Sequence, residues 1–368
     1  MIRNSKLVFN LAKKLKLKVP LEKLAFGNSF TDHILTIDWT KQNGWEDPII
    51  QPYQNLELSP AISSLHYGFS VFEGMKAYKD SENRVRLFRP MENIKRLSSS
   101  AKALSMPHDF NNDELLKCIY SLLHVDKDLI PNKPGYSMYI RPMLFSTDPD
   151  LSVRVPESCK LLTMLSPVGP YYKNGFNPIS LFTEQNNVRA WKGGTGCHKV
   201  AGNYAPTLKS QSKALEKGHS QVLWLTENNE YISEAGTMNI FFLRKYGEDQ
   251  LELVTPKLDD TILPGVTRDS IIQIVKHEYP EITVIEKDYS ILEMIQDFES
   301  TSILEIFGTG TAAVISPIHS IEYNRIEYGG LPSPSENSLS DKLYKRLSGI
   351  QYGEQEDPYN WSVILDNQ

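Results

Sequence analysis

A lysine set behind a run of glycines, in WKGGTGCHKVAGNY around Lys199, is the first residue of this 368-residue chain with chemistry to offer. A lysine amine acts as a nucleophile only when neutral, which takes burial or a nearby charge; left in solvent it stays protonated and serves solubility. The glycines do not form a P-loop, because Lys199 is followed by Val200 rather than by serine or threonine. Glu234, in YISEAGTMNIFF, has two readings: an exposed glutamate at a strand edge, or a carboxylate that holds a neighbouring ring nitrogen protonated. Arg89, the PGVT turn and the GTGT turn are candidates for anion contacts. Backbone N–H groups of Val266 and Thr267 would face the anion at a helix start and Arg89 would add a charged fork; the plain alternatives are chain reversal and a surface ion pair. Cys197 and His198 precede the lysine, yet two potential ligands do not make a zinc site, and neighbours on an extended strand point to opposite faces. No metal is expected.

These side chains need elements to hold them. The alternation in GYSMYIRPMLF places Tyr139 and Arg141 on one face of a strand. After Phe88, the spacing of Met, Ile, Leu and Ala in RPMENIKRLSSSAKAL predicts a helix from Pro90, with Arg89 at the corner. LHYGFSVFEG, KAYKD and RVRLF read as strands with a tight connection. Further along, QVLWLT, ISEAGTMNIFFL and LELVTP read as strands, and Pro264 and Gly265 mark the turn before a helix. TSILEIFGTGTAAVISPIHSI reads as strand, glycine-rich turn and strand, and DKLYKRLSGIQYG as a peripheral helix. Between the strands LLTML and ISLF, SPVGPYYKNGF is rich in proline and glycine and reads as a linker. The expected organisation is a smaller N-terminal α/β domain over 1–166, a linker over 167–176, and a larger C-terminal α/β domain over 177–368 that carries the lysine.

With 40% hydrophobic and 23% charged residues the chain has the make-up of a globular protein, and its net charge of -6 offers no footprint for a nucleic-acid polyanion. No apolar run approaches the roughly 20 residues that a membrane-spanning helix needs. Cys118, Cys159 and Cys197 form neither a CxxC pair nor a disulfide framework, which fits a reducing compartment. The N-terminal MIRNSKLVFNLAKKLKLKVP is basic with no acidic residue, and reads either as a transit segment or as an ordinary leader beside the first domain. A cytoplasmic location is expected, with the mitochondrial matrix as the alternative.

Taken in order, FGNSFTDH, SSLHYGFSVFEGMKAY, RLFRPMENIKRL, YIRPML, AWKGGTG, KVAGNYAP, SEAGTMNIFF, ILPGVTRDS and FGTGTA resemble the branched-chain amino acid aminotransferases, which are fold-type-IV pyridoxal-phosphate enzymes. The likeness runs from Leu24 to Gly353. It implies a mixed α/β fold with two strand-rich domains and the active site between them. By this resemblance Lys199 carries pyridoxal 5'-phosphate and then moves the substrate proton. Tyr204 is matched to the tyrosine on the cofactor's phenolic oxygen and Glu234 to the carboxylate on its pyridine nitrogen. Arg89, Val266, Thr267 and Thr311 are matched to the phosphate contacts. Phe26, Phe72, Tyr139 and Tyr171 are matched to an aromatic surface for leucine, isoleucine or valine, although each taken alone reads first as core packing. Tyr67 and Val153 correspond to residues delivered from the neighbouring subunit of a homodimer. Arg141, helped by Tyr67, is matched to the distal carboxylate of glutamate or 2-oxoglutarate, and the turn at Thr311 and Ala312 to the shared α-carboxylate.

The reaction so implied is a reversible ping-pong exchange. L-leucine, L-isoleucine or L-valine gives its amino group to 2-oxoglutarate, leaving branched-chain 2-oxo acids and L-glutamate, with no nucleic-acid or membrane partner. Two positions depart from the family. Its aspartate just before the lysine is absent from Gly196-Cys197-His198-Lys199, and Ala313 and Ser316 stand where vertebrate members carry a redox-responsive CxxC. Within the same fold the competing activities are D-amino acid aminotransferase and aminodeoxychorismate lyase; outside enzymes, the alternative is a catalytically silent amino-acid or pyridoxal-phosphate binding protein. Tyr139 with Arg141, the long N-terminal segment and the motif order favour the branched-chain reading, and Lys199, Tyr204 and Glu234 together favour an enzyme.

Overall fold

Short apolar runs bounded by Gly, Pro, Asn and Ser fold as strands, because a pleated, half-buried surface suits Val, Ile, Leu and aromatic side chains. The computed structural model describes residues 1–170, 177–247 and 250–365. Tyr171 and most of the expected linker lie outside the described residues.

The strands of the first half are β1 (Val8–Phe9), β2 (His33–Thr40), β3 (Gly44–Trp45), β4 (Ile49–Pro52), β5 (Ser70–Phe72), β6 (Met75–Lys79), β7 (Val85–Phe88), β8 (Ser137–Ser146) and β9 (Ser158–Val168). Those of the second are β10 (Ile179–Glu184), β11 (Gln221–Leu225), β12 (Ile232–Ala235), β13 (Asn239–Tyr246), β14 (Gln250–Pro256), β15 (Ile282–Lys287), β16 (Ile303–Gly310), β17 (Val314–Tyr323) and β18 (Ile326–Gly329), followed by β19 (Ser362–Ile364). The α-helices are α1 (Ser63–Tyr67), α2 (Pro90–Ala103), α3 (Asn112–Val125), α4 (Leu208–Glu216), α5 (Val266–Glu278), α6 (Ile291–Glu299) and α7 (Leu339–Tyr352).

Among the described residues the strands make two sheets, so the fold is mixed α/β and strand-rich in both halves. One runs in the order β1-β4-β2-β9-β8-β6-β7-β19, the other β12-β11-β10-β17-β16-β13-β14-β15. Ile94 and Leu97 of α2 and Leu115, Ile119 and Leu122 of α3 share one core with the first sheet. The second has a core of its own around Leu223, Ile240, Phe242 and Ile306.

By packing, the chain forms two compact units: Met1–Tyr171 with His198–Gly202 and Ser348–Gln368, and Tyr172–Cys197 with Asn203–Leu347. This differs from two continuous stretches, and backbone pairing explains why. Val200 bridges Val71, and β19 completes the first sheet against β7. Lys199 therefore belongs to the first unit rather than to the C-terminal one.

Four local expectations also change. SSLHY is the short helix α1, stopped by Gly68 in the left-handed conformation at φ 67°. ISEAGTMNIFFL is two strands, β12 and β13, because Gly236 turns the chain at φ 60°. The glycines of FGTGT end strand β16 and the turn is Thr311-Ala312-Ala313; Gly308 lies within the strand, packed against the Met238 side chain. Helix α7 is no peripheral addition, as Leu343, Leu347 and Ile350 are fully buried.

Candidate active site

In the first unit the structure gathers five of the expected residues. Phe72, at the end of β5, lies beneath two cations: Lys199 Nζ is 4.8 Å and Arg141 Cζ 4.6 Å from its ring centre. Tyr139 and Arg141 share a face of β8, and Phe26 meets Tyr139 edge-on at 4.8 Å. Arg141 Nη2 donates to the Tyr139 hydroxyl at 2.9 Å, while Arg141 Nε is buried with no hydrogen-bond partner among the described residues. A buried donor left unmade costs about 1–3 kcal/mol, so the arrangement fits an arriving anion.

The lysine itself is held by its backbone. Its N–H donates to Ser100 Oγ at 2.9 Å, and its carbonyl accepts from Phe72 N–H at 3.1 Å. Burial, and after it the Arg96 guanidinium, push the Lys199 amine down to about 8, with Arg141 acting in the same sense and Glu73 and Tyr139 opposing. An amine with that value is neutral in a useful fraction near physiological pH, which is the state that attacks an aldehyde. Lys76 is a second buried amine, lowered to about 8 by burial alone.

Arg89 sits at the corner between β7 and α2 with φ 46° and ψ 46°, a left-handed conformation that costs a non-glycine residue roughly 1–2 kcal/mol. Its N–H donates to the Trp361 carbonyl at 2.8 Å, and its guanidinium lies 5.0 Å from the Trp361 ring centre. The C-terminal segment thus fixes the arginine in place.

In the second unit, Glu234 is buried at 3% exposure, which removes the exposed-edge reading. One oxygen accepts from Asn239 Nδ2 at 3.2 Å and from Leu263 N–H at 3.1 Å; the other lies 2.5 Å from Arg189 Nε. Arg189 is held in turn by the carbonyls of Gly196 and Thr261. Asn239 also donates to the Leu263 carbonyl at 2.9 Å, and a Cβ on Gly265 would strike Asn239 Oδ1 at 2.1 Å. Asn239 therefore ties the buried carboxylate to the turn that starts α5, whose first two residues are Val266 and Thr267. Thr309 pairs with Asn239 across β16 and β13, just before Thr311 and Ala312. Tyr204 is half-buried, and its carbonyl accepts from Thr207.

The segment with Cys197 and His198 is a turn rather than an extended strand. Thr195 and Asn203 close its neck with two hydrogen bonds of 2.7 Å. Burial and then the Asp260 carboxylate push the Cys197 thiol up, away from nucleophilic use. Among the described residues no group of three or more His, Cys, Asp or Glu is placed to hold a metal ion. None of the helices there is long and apolar enough to cross a membrane.

Tyr67 and Val153 lie apart from this cluster in character: they are 45% and 73% exposed, and Tyr67 Oη donates to the Leu151 carbonyl at 2.7 Å. Sequence reasoning missed Glu73, Arg96, Ser100, Arg189, Asn239 and the Thr195–Asn203 neck. Most of these lie inside the motifs already quoted, FEG, KRLSSS, GTMN, KGGTG and AGNY, so the signal was present but assigned to no partner.

The model of the class IV amino-transferases matches residues 70–321. A cytosolic branched-chain-amino-acid aminotransferase of Saccharomyces cerevisiae is 44% identical over 94% of this chain and 93% of its own length. A mitochondrial one of Bos taurus is 42% identical over 91% and 85%. Among solved structures, the branched-chain amino acid aminotransferase from Escherichia coli superposes with a TM-score of 0.70 at 28% identity, covering 92% of this chain and 99% of that one.

Proposed function

The chain belongs to the branched-chain amino acid aminotransferase family of fold-type-IV, pyridoxal-phosphate enzymes, and on that premise we propose that it exchanges the amino group of L-leucine, L-isoleucine or L-valine with 2-oxoglutarate. The observation that carries this reading is Lys199: a half-buried residue whose amine is lowered to about 8, over the same aromatic ring as the Arg141 guanidinium.

Pyridoxal 5'-phosphate, when bound, supplies an electron sink for charge developing at the substrate α-carbon. The chemistry of the residues fits such a group: an amine lowered to about 8 for its aldehyde, a buried carboxylate for its ring nitrogen, and an arginine and a helix start for its phosphate. Lys199 Nζ holds the cofactor and, once freed, carries the proton to and from the substrate α-carbon. Glu234 keeps a proton on the ring nitrogen, and Tyr204 donates to the phenolic oxygen. Arg89, Val266, Thr267 and Thr311 hold the phosphate.

Phe26, Phe72, Tyr139 and Tyr171 bury the aliphatic side chain, at about 0.8 kcal/mol per methylene. Arg141 takes the distal carboxylate of glutamate or 2-oxoglutarate instead, and Thr311 and Ala312 take the α-carboxylate common to both substrates. The exposed apolar surface of Leu65, Tyr67, Leu151, Val153 and Val155 supports a homodimer that brings Tyr67 and Val153 to the partner's pocket. Backbone bonds from Ala12 to His33 and from Lys16 to Asp32 tie the basic N-terminal segment to the first unit; a cytoplasmic location, with the mitochondrial matrix as the alternative, matches the cytosolic and mitochondrial relatives alike.

A spectral titration tests the proposal. The purified protein should lose the absorbance of lysine-linked cofactor on L-leucine and regain it on 2-oxoglutarate, and Lys199→Ala should never form it. Preferential turnover of a D-amino acid, pyruvate release from aminodeoxychorismate, or a chromophore inert to leucine would defeat it. Full activity in a monomer would defeat the shared pocket.

A further inference from the structure

Helix α2 carries a polar stripe on the side that faces the protein interior. Asn93, Arg96 and Ser100 recur at helical spacing, and each is bonded to something specific. Asn93 Nδ2 donates to the Arg89 carbonyl at 3.2 Å. Arg96 grips Glu73 with both arms of a fork, Nε to Oε1 at 2.6 Å and Nη2 to Oε2 at 3.0 Å. Ser100 Oγ accepts the Lys199 N–H. Glu73 and Ser100 have no solvent exposure.

An apolar replacement of a buried ion pair is often neutral or stabilising, so packing alone does not account for Arg96–Glu73. Its location does. Glu73 follows Phe72, whose N–H binds the Lys199 carbonyl, and Arg96 precedes Ser100 by one helical turn. The lysine is thereby clamped on both sides of its peptide by neighbours of the two charged residues.

We propose that Ser100, Arg96 and Glu73 are positioning residues for Lys199: Ser100 anchors its backbone, while the Arg96–Glu73 pair sets the field at its amine. The inference deepens the proposed function and rests on Lys199 as the reactive amine. The charged groups that bear on that amine are Arg96 from α2, Glu73 from the β5–β6 turn, and Tyr139 and Arg141 from β8. Lys76, opposite Tyr139 on β6, is the other buried amine of this sheet. Burial outweighs them all, and the two members of the pair act with opposite sign: Arg96 disfavours the ammonium and Glu73 favours it.

That opposition gives a test that a structural role would not pass. Full-length protein freed of cofactor is labelled with trace acetic anhydride across a pH series, and the Lys199 peptide is quantified by mass spectrometry separately from that of Lys76. Glu73→Gln should lower the midpoint pH of Lys199 labelling and Arg96→Gln should raise it, each by about one pH unit. Should Arg96→Gln not fold, the double variant Glu73→Gln with Arg96→Gln, compared with Glu73→Gln alone, reads the same sign. Shifts in one common direction, or an unmoved midpoint, would overturn the role of the pair. Amide hydrogen exchange at Lys199 should quicken about tenfold in Ser100→Ala and recover in Ser100→Thr; an unchanged rate removes Ser100 from the set. Labelling needs no cofactor, so a parent protein that never forms the chromophore would sink the proposed function and leave this result to be read by itself.

Discussion

The guanidinium of Arg141 reaches along its own strand to the hydroxyl of Tyr139, 2.9 Å away, two residues back on the same face of β8. The bond points a fixed cation at the side chain that an aliphatic substrate would lie against, so one surface offers both an apolar wall and a charge. Arg141→Gln should separate the two uses. The kcat/KM for 2-oxoglutarate should fall by roughly 10- to 100-fold, the worth of charge-assisted hydrogen bonds, and that for leucine much less. Half-reactions followed by stopped-flow absorbance would show it, and equal losses for both substrates would count against the dual-use surface.

Glu234 is enclosed by Arg189, Asn239 and the Leu263 N–H, which hold its carboxylate in one place. Glu234→Gln preserves the shape and removes the charge. Transamination should drop by about 100-fold, the scale of one lost electrostatic stabiliser, with the cofactor still bound. A variant that turns over at the parent rate would show that the carboxylate has no part in the chemistry.

Gly74 packs directly against the Tyr139 ring. A Cβ there would lie 2.1 Å from the Tyr139 hydroxyl and 2.8 Å from its Cζ, so Gly74→Ala must displace the ring. Leucine turnover should fall about tenfold or more, as for other small misplacements of positioning groups. Steady-state kinetics on leucine checks this, with the melting temperature as control for folding. Unaltered kcat/KM would mean that Tyr139 does not contact the aliphatic chain.

Stability should depend on pH through Lys76. Burial lowers its amine from the ordinary 10.5 to about 8, so between those values the unfolded chain binds more protons than the folded one. Unfolding free energy therefore rises with pH across about 8 to 10.5, and Lys199 contributes with the same sign. At neutral pH the burial of Lys76 costs on the order of 3 kcal/mol, and Lys76→Met should recover part of it and flatten the rise. Urea unfolding midpoints at a series of pH values provide the measurement; a variant as steep as its parent would contradict the assignment.

Periodicity carried the regular elements well. Tyr139 and Arg141 share a strand face, α2 starts at Pro90, and α5 starts after Gly265, all because local pattern and burial agree there. Pattern failed where a glycine had two possible duties. Gly308 and Gly310 lie in strand β16 rather than in a turn, and Gly236 is a turn inside what reads as one strand. Partners distant in sequence were illegible for a different reason. Nothing local links Arg189 to Glu234, Trp361 to Arg89, or Ser100 to Lys199, because each bond exists only once the chain has been brought back on itself.

The chain passes between its two compact units four times, and the third and last pieces of that path are short: five residues around the lysine and the C-terminal stretch that carries β19. Neither unit is therefore one continuous stretch of the chain. A gene fragment ending at residue 170 would encode the first sheet without the Val200 bridge and without β19, leaving β7 as a bare edge. Joined at one breakpoint, two relatives would supply Ser100 and the lysine segment, or Arg89 and Trp361, from different parents. A swap of the second half therefore replaces the lysine segment and β19 together with the second unit.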